Sequence, residues 1–180
     1  EQYRHSKRRI YIYCWRGGMR SRIVVNVLRR HGFTNVSQCT GGYKVYLKNI
    51  VWKGLDAMAR TYPPVFIVLY GHTGTRKTEI LRHLAEQTGR KLPVLDLEGL
   101  AGHRSSVYGA VDLKPVSQKM FSIGIYHTLR KLQDQRFIFM EGEAQKVGDV
   151  HVPAFLVERI AGGAASHKVL VQATLETRIE

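Results

Sequence analysis

Val65-Phe66-Ile67-Val68-Leu69-Tyr70-Gly71-His72-Thr73-Gly74-Thr75-Arg76-Lys77-Thr78 is the stretch that decides the fold. Val65–Tyr70 is a continuous apolar run ending at a glycine. It reads as a strand buried on both faces, as in a parallel sheet. Gly71 and Gly74 mark a tight loop, and Lys77 opens a helix expected over 77–87. Strand, Gly-containing loop and helix in this order are the setting of a phosphate-binding loop. Loop amides would wrap a diphosphate, Lys77 would neutralise it, and Thr78 would hold Mg²⁺ where a metal is present. The candidate phosphate-binding residues are therefore Gly71, Thr73, Gly74, Arg76, Lys77 and Thr78. One position breaks the GxxxxGK[ST] pattern: Arg76 stands where glycine is expected, adding bulk and a permanent charge.

Downstream, the pattern alternates. Strands are expected at 92–97, 137–140 and 169–171, and helices at 118–132 and 154–160. Such alternation argues for a mostly parallel sheet covered on both faces, with its ligand edge at the strand ends. Two segments leave strands toward that edge. Leu95-Asp96-Leu97-Glu98 continues to His103-Arg104, and Phe137–Met140 ends in Glu141-Gly142-Glu143. Glu98, His103, Arg104, Glu141 and Glu143 are candidate supporting residues; the second segment is similar to the acidic strand that handles metal or water in P-loop proteins.

Upstream, tandem prolines at Pro63-Pro64 mark a boundary between residues 1–62 and 63–180. The first part reads as a strand at 10–13, a helix at 20–31, a strand at 35–38, a Gly41-Gly42 turn and a helix at 43–58. Ile23, Val24, Val27 and Leu28 supply the helical spacing of the first helix. This is part of a small α/β domain. Its loop Cys14-Trp15-Arg16-Gly17-Gly18-Met19-Arg20-Ser21 puts a thiol between a strand end and a helix start. Glycines let successive N–H groups turn inward as an anion nest, and the helix N-terminus and two arginines add positive potential. Such a setting favours a thiolate, the nucleophilic form. Cys14 is the candidate catalytic residue, with Arg16, Gly17, Gly18, Met19, Arg20 and Ser21 as its anion loop. Cys39 lacks such a cradle and reads as filler. Tyr43, Tyr46 and Trp52 are candidates for stacking on bases, although their spacing fits a core face equally well.

The chain has 180 residues and a formal net charge of +14. Residues 1–62 hold thirteen Lys and Arg against two Asp and Glu, so the first third carries +11 of that charge. A polyanion such as RNA, or small anionic substrates, suits this field. Two cysteines do not make a disulfide framework, and no apolar run is long enough for a membrane span. A cytoplasmic location and no membrane association are expected. The eight histidines show no metal-ligand spacing, so no structural metal site is expected.

The Cys14 loop resembles the active loop of rhodanese-type sulfur-transfer domains, in which the Cys carries a persulfide or its selenium counterpart. Gly41-Gly42-Tyr43-Lys44 is similar to the way such domains close before their last helix. The motifs taken together resemble one family, the tRNA 2-selenouridine synthases, which fuse a rhodanese domain to a P-loop domain. The resemblance rests on YCWRGGMRS at 13–21, GGYK at 41–44, GHTGTRKTEIL at 71–81, LDLEGLAGHRSS at 95–106, SQKMF at 117–121, MEGEAQKVG at 140–148 and VPAFL at 152–156.

The resemblance implies a partial rhodanese-like domain followed by a P-loop α/β domain. It implies action on the wobble uridine of tRNA, where selenium from selenophosphate replaces the sulfur of 2-thiouridine. It also implies a geranylated intermediate formed from geranyl diphosphate, and no tightly bound cofactor. On this reading Cys14 matches the essential rhodanese Cys, and the P-loop holds the prenyl diphosphate rather than an ATP hydrolysed for work. Departures from the family pattern are Arg76, Ser105 in place of Gly and Ala144 in place of Ser. The early rhodanese strands and the family's C-terminal region fall outside the resemblance, so the chain is expected to be an internal piece or a degraded copy. The competing readings are a P-loop kinase or NTPase with a sulfur-delivering rhodanese module, and a nucleic-acid-binding remnant without catalysis.

Overall fold

The computed structural model describes residues 3–4, 6–86, 92–104, 113–142 and 145–174. The chain divides into two compact units, Glu1–Gly54 and Leu55–Glu180.

In the first unit, β1 (Ile10–Ile12) and β2 (Val36–Gln38) pair in parallel, with Ile10 opposite Val36 and Ile12 opposite Gln38. Helix α1 (Met19–Arg30) makes the crossover. Of its four sequence-expected apolar residues, only Leu28 is half-buried, on the side of Ser21 and Val25. Ile23, Val24 and Val27 are exposed, whereas Ser21 and Val25 are buried. Residues 21 and 25 lie one helical turn apart, and α1 packs against β2 and β1. After Gly41, α2 (Gly42–Tyr46) passes into a π-helical stretch, Leu47–Trp52, and then α3 (Lys53–Thr61). The sequence predicts a single helix over 43–58; the wider π turn shifts the register of side chains within it.

The division of the chain falls inside this long helical run, ahead of the prolines. Tyr62 is buried and its hydroxyl donates a 2.7 Å hydrogen bond to the Leu129 carbonyl. Burial raises the Tyr62 phenol well above its ordinary range, so it remains a donor at any working pH.

The second unit is built on a four-stranded parallel sheet in the order β4-β5-β3-β8. The strands are β3 (Val65–Tyr70), β4 (Val94–Leu95), β5 (Phe137–Glu141) and β8 (Ser166–Leu170). The helices are α4 (Lys77–Glu86), α5 (Leu97–Ala101), α6 (Gln118–Leu132) and α7 (Ala154–Ala161). Phe66, Val68, Ile138 and Met140 are fully buried on the sheet, as are Phe121, Ile125 and Leu129 on α6. Each such side chain contributes about 1.5–3 kcal/mol of burial.

Three sequence expectations change. The strand expected at 92–97 shrinks to Val94–Leu95, because Asp96 instead caps α5 by accepting a 2.7 Å hydrogen bond from Gly99 N–H. The last strand begins at Ser166 and ends at Leu170, rather than spanning 169–171. An antiparallel hairpin, β6 (Lys146–Val147) and β7 (Val150–His151), had no sequence counterpart. It turns through Gly148 at φ +57°.

Because the four strands are parallel, their C-terminal ends share one edge. There the chain delivers Gly71, Asp96, Glu141 and Val171.

Candidate functional site

The Cys14 loop is held by backbone pairing around three glycines in left-handed conformations: Gly17 at φ +63°, Gly41 at φ +75° and Gly42 at φ +57°. Gly17 N–H donates to the Cys14 carbonyl at 3.4 Å, and Tyr43 N–H donates to the same oxygen at 3.1 Å. Lys44 N–H donates to the Trp15 carbonyl at 3.0 Å. Gly17 and Gly42 meet backbone to backbone. A Cβ on Gly17 would collide with Gly42 N, and a Cβ on Gly42 would collide with Cys14 O and Gly17 N. The Gly-Gly turn of residues 41–42 is thus a structural part of the Cys14 loop.

The sulfur lies 3.4 Å from Ser21 Oγ. Ser21 Oγ also lies 3.1 Å from the Gly18 carbonyl, to which it can donate. Gln38 Nε2 donates to Ser21 Oγ at 2.9 Å and to the Gly17 and Gly18 carbonyls at 2.6 and 2.9 Å. With Gln38 filling one acceptor site, the single Ser21 proton is left to the Gly18 carbonyl or to the sulfur. The Cys14 thiol is pulled from 9.0 down to about 6. Its hydrogen bond from Ser21 is the largest cause; desolvation works against it, and the backbone N–H groups of Ser21, Gly18 and Arg16 add to the lowering. Helix α1 contributes through its N-terminus, since Gly18 caps it without a side chain and leaves first-turn N–H groups to other acceptors. A thiolate at neutral pH follows. Arg16, Met19 and Arg20 are exposed around this loop. Gln38 escaped the sequence reading. Its signal was its place at the end of a strand paired with the strand leading to Cys14.

The phosphate-loop candidates lie in the second unit. Val65–Tyr70 forms a strand and Lys77 starts a helix, as the sequence predicts. Gly71 packs against the Val171 carbonyl, where any Cβ would collide. Gly74 adopts φ +83°. Thr75 is buried and its hydroxyl donates to the His72 carbonyl at 2.8 Å. Lys77 Nζ donates to the Gly71 and His72 carbonyls at 3.1 and 3.2 Å, so the ammonium lies over the loop. Arg76 adopts φ +59°, the left-handed region that glycine enters freely. Its guanidinium lies 4.0 Å from the Glu79 carboxylate.

The supporting residues separate. Thr78 Oγ1 lies 3.3 Å from Glu98 Oε2, which joins the α4 start to α5. Glu141 is 4% exposed and sits opposite Leu69 in the strand register, one residue before β3 ends. His103 packs beneath the hairpin turn, where a Cβ on Gly148 would meet its ring. Arg104 is exposed. Glu143, Ser105 and Ala144 fall outside the described residues. Beside the loop, an open cleft of about 430 Å³ is lined by His72, Thr75 and residues Val171, Gln172, Ala173 and Thr174. The sequence pointed to none of those last four, which owe their place to β8 pairing with β3.

Among the described residues, no three His, Cys, Asp or Glu side chains gather to hold a metal, and no helix is long and apolar enough to cross a membrane.

Comparison with known proteins joins these features. Over 172 residues the chain is 33% identical to a tRNA 2-selenouridine synthase of Sulfurovum sp. (strain NBC37-1), covering 94% of this chain and 43% of that relative. The same name, identity and coverage apply to a relative from Cupriavidus pinatubonensis. A third, from Nitrosomonas eutropha, is 30% identical over 176 residues, covering 96% of this chain and 42% of the relative. The chain therefore spans less than half the length of these relatives. No solved structure matches. The family model for the tRNA 2-selenouridine synthase AAA domain matches residues 64–180, the stretch holding the phosphate loop and the parallel sheet, and the chain belongs to that family.

Proposed function

We propose that this chain carries the two reactive centres of a tRNA-modifying transferase. The enzyme replaces the sulfur of wobble 2-thiouridine by selenium from selenophosphate, through a geranylated intermediate. The observation that carries the reading is the Cys14 thiol, lowered to about 6 within a loop of N–H donors and exposed arginines. Such a centre suits anionic selenium chemistry: Arg16 and Arg20 attract the selenophosphate, its selenium attacks the ring carbon, and the Cys14 thiolate then takes the phosphoryl group from selenium for water to release as phosphate. The loop is of rhodanese type.

The second centre prepares the base. The thiocarbonyl sulfur attacks the first carbon of geranyl diphosphate, the carbon–oxygen bond breaks, and diphosphate leaves. The Gly71–Thr78 loop holds that diphosphate by its amides and Lys77. Geranylation turns a poor leaving group into a thiolate leaving group, which departs when selenium attacks the same ring carbon. Mg²⁺ entering with the diphosphate would find hard oxygen donors in Thr78 and Glu98. The left-handed Arg76 favours this role over ATP hydrolysis, which requires a terminal phosphate, metal and water in line. The enzyme works in the cytoplasm on tRNA drawn to the basic first third of the chain.

Thermal stabilisation by separate ligands tests the reading. Geranyl diphosphate and tRNA should each raise the melting temperature, and ATP should do so less. Stabilisation by ATP alone, with turnover, would favour a kinase or NTPase.

A further inference from the structure

Four aromatic rings meet beside the Cys14 loop. Tyr13 and Tyr43 stack at 6.3 Å between centroids, Trp15 and Tyr43 lie 5.7 Å apart, and Tyr43 and Tyr46 lie 5.9 Å apart. Tyr13 and Trp15 flank Cys14 directly. The Tyr43 and Lys44 N–H groups bind the carbonyls of Cys14 and Trp15, so backbone hydrogen bonds fix the two segments to each other. Yet Tyr13 remains 63% exposed and Trp15 40% exposed. Aromatic rings of this size normally gain by burial, and a contiguous exposed group of them marks a binding surface.

The charge around the rings identifies the class of occupant. Arg16 and Lys44 are exposed next to Trp15 and Tyr43, and no carboxylate occurs in the sequence between Glu1 and Asp56. Exposed aromatic rings with Arg16 and Lys44 beside them suit a base carried on a phosphate backbone. Geranyl diphosphate would bring charge to those cations, but its prenyl chain gains most in an enclosed apolar pocket.

We infer that Tyr13, Trp15, Tyr43 and Tyr46 form a platform on which an unstacked RNA base lies beside Cys14, with Arg16 and Lys44 meeting the flanking phosphates. This rests on the reading above that Cys14 acts on an RNA base, and it names how the base is held. Tyr43 is central, because it touches each of the other three rings.

The protein contains two tryptophans, so Trp52→Phe in the full chain leaves Trp15 as the single reporter. Six-residue oligouridylate should quench Trp15 fluorescence. It should bind about fivefold or more tighter than an abasic ribose-phosphate chain of equal length and charge. Tyr43→Ala should reduce that ratio toward one, and Tyr43→Phe should keep it; Tyr13→Ala, at the most exposed ring, provides an independent reduction. Equal binding and quenching by the abasic chain would overturn the platform. So would quenching by geranyl diphosphate without quenching by oligouridylate. Neither result touches the role of Cys14, which is read separately by selenium incorporation. Loss of that role, with base-dependent quenching intact, would instead remove the functional reading alone.

Discussion

Ser21 Oγ stands 3.4 Å from Cys14 Sγ, in the first turn of the helix that follows the Cys loop. Gln38 donates to the same hydroxyl, so the Ser21 proton is available to the sulfur once the thiolate forms. Hydrogen bonds thus link the Cys14 sulfur, through Ser21 on α1, to Gln38 at the end of β2.

Thiol labelling should reveal this arrangement. The fast phase of iodoacetamide labelling should rise with thiolate fraction, with a midpoint near pH 6 rather than 9.0. The sign follows from the lowered value: the anion is lost as pH falls through about 6. Ser21→Ala should move the midpoint upward, while Gln38 keeps its bonds to the Gly17 and Gly18 carbonyls. An unchanged midpoint in Ser21→Ala would contradict the assigned cause. Cys14→Ser should remove the phase altogether.

Gly42→Ala should disrupt the loop. Gly42 is at φ +57°, and the new Cβ would run into the backbone of Cys14 and Gly17. A left-handed alanine alone costs about 1–2 kcal/mol, and the collision adds to it. Urea unfolding should register the loss, and labelling should show the low-pH thiol gone. A variant with normal stability and a normal labelling profile would disprove the backbone contact.

Arg76→Gly should stabilise the protein. Releasing a left-handed non-glycine residue gains about 1–2 kcal/mol, against roughly 0.5–1 kcal/mol for the extra freedom of glycine when unfolded. The net gain should be about 0.5–1 kcal/mol in denaturant unfolding. Diphosphate binding should tighten as the side chain leaves the loop. Robust ATP turnover by the Arg76 form would overturn the diphosphate-holding reading.

RNA binding should weaken steeply with salt. If about five phosphates meet the basic first third, log affinity should fall with log salt at a slope of about −3 to −4. Charge-neutralising changes among the arginines of residues 1–62 should flatten that slope. A flat profile in the unaltered protein would place RNA elsewhere.

Much of this was legible in the sequence where local chemistry decides. The run Val65–Tyr70 became its strand, Gln118–Leu132 its helix, and Lys77 the start of α4, because periodicity and loop residues agreed. What failed depended on packing. Ile23, Val24 and Val27 have helical spacing, but α1 lies on its strands by Ser21 and Val25. Asp96 sits in a strand-like run, yet its carboxylate stops the strand by capping α5. The turn of the loop after Cys14 was visible from its glycines. Gln38 and the contact between Gly17 and Gly42 were not, because parallel pairing of β1 and β2 brings distant residues together.

The central claim is that Cys14 performs the selenium step. Cells lacking the selenouridine activity should be supplied with the full-length protein as wild type, Cys14→Ser or Cys39→Ser, and their wobble uridines analysed by mass. Wild type and Cys39→Ser should restore 2-selenouridine, while Cys14→Ser should yield none. Selenouridine at wild-type level in Cys14→Ser, or equal loss in both variants, would contradict the account.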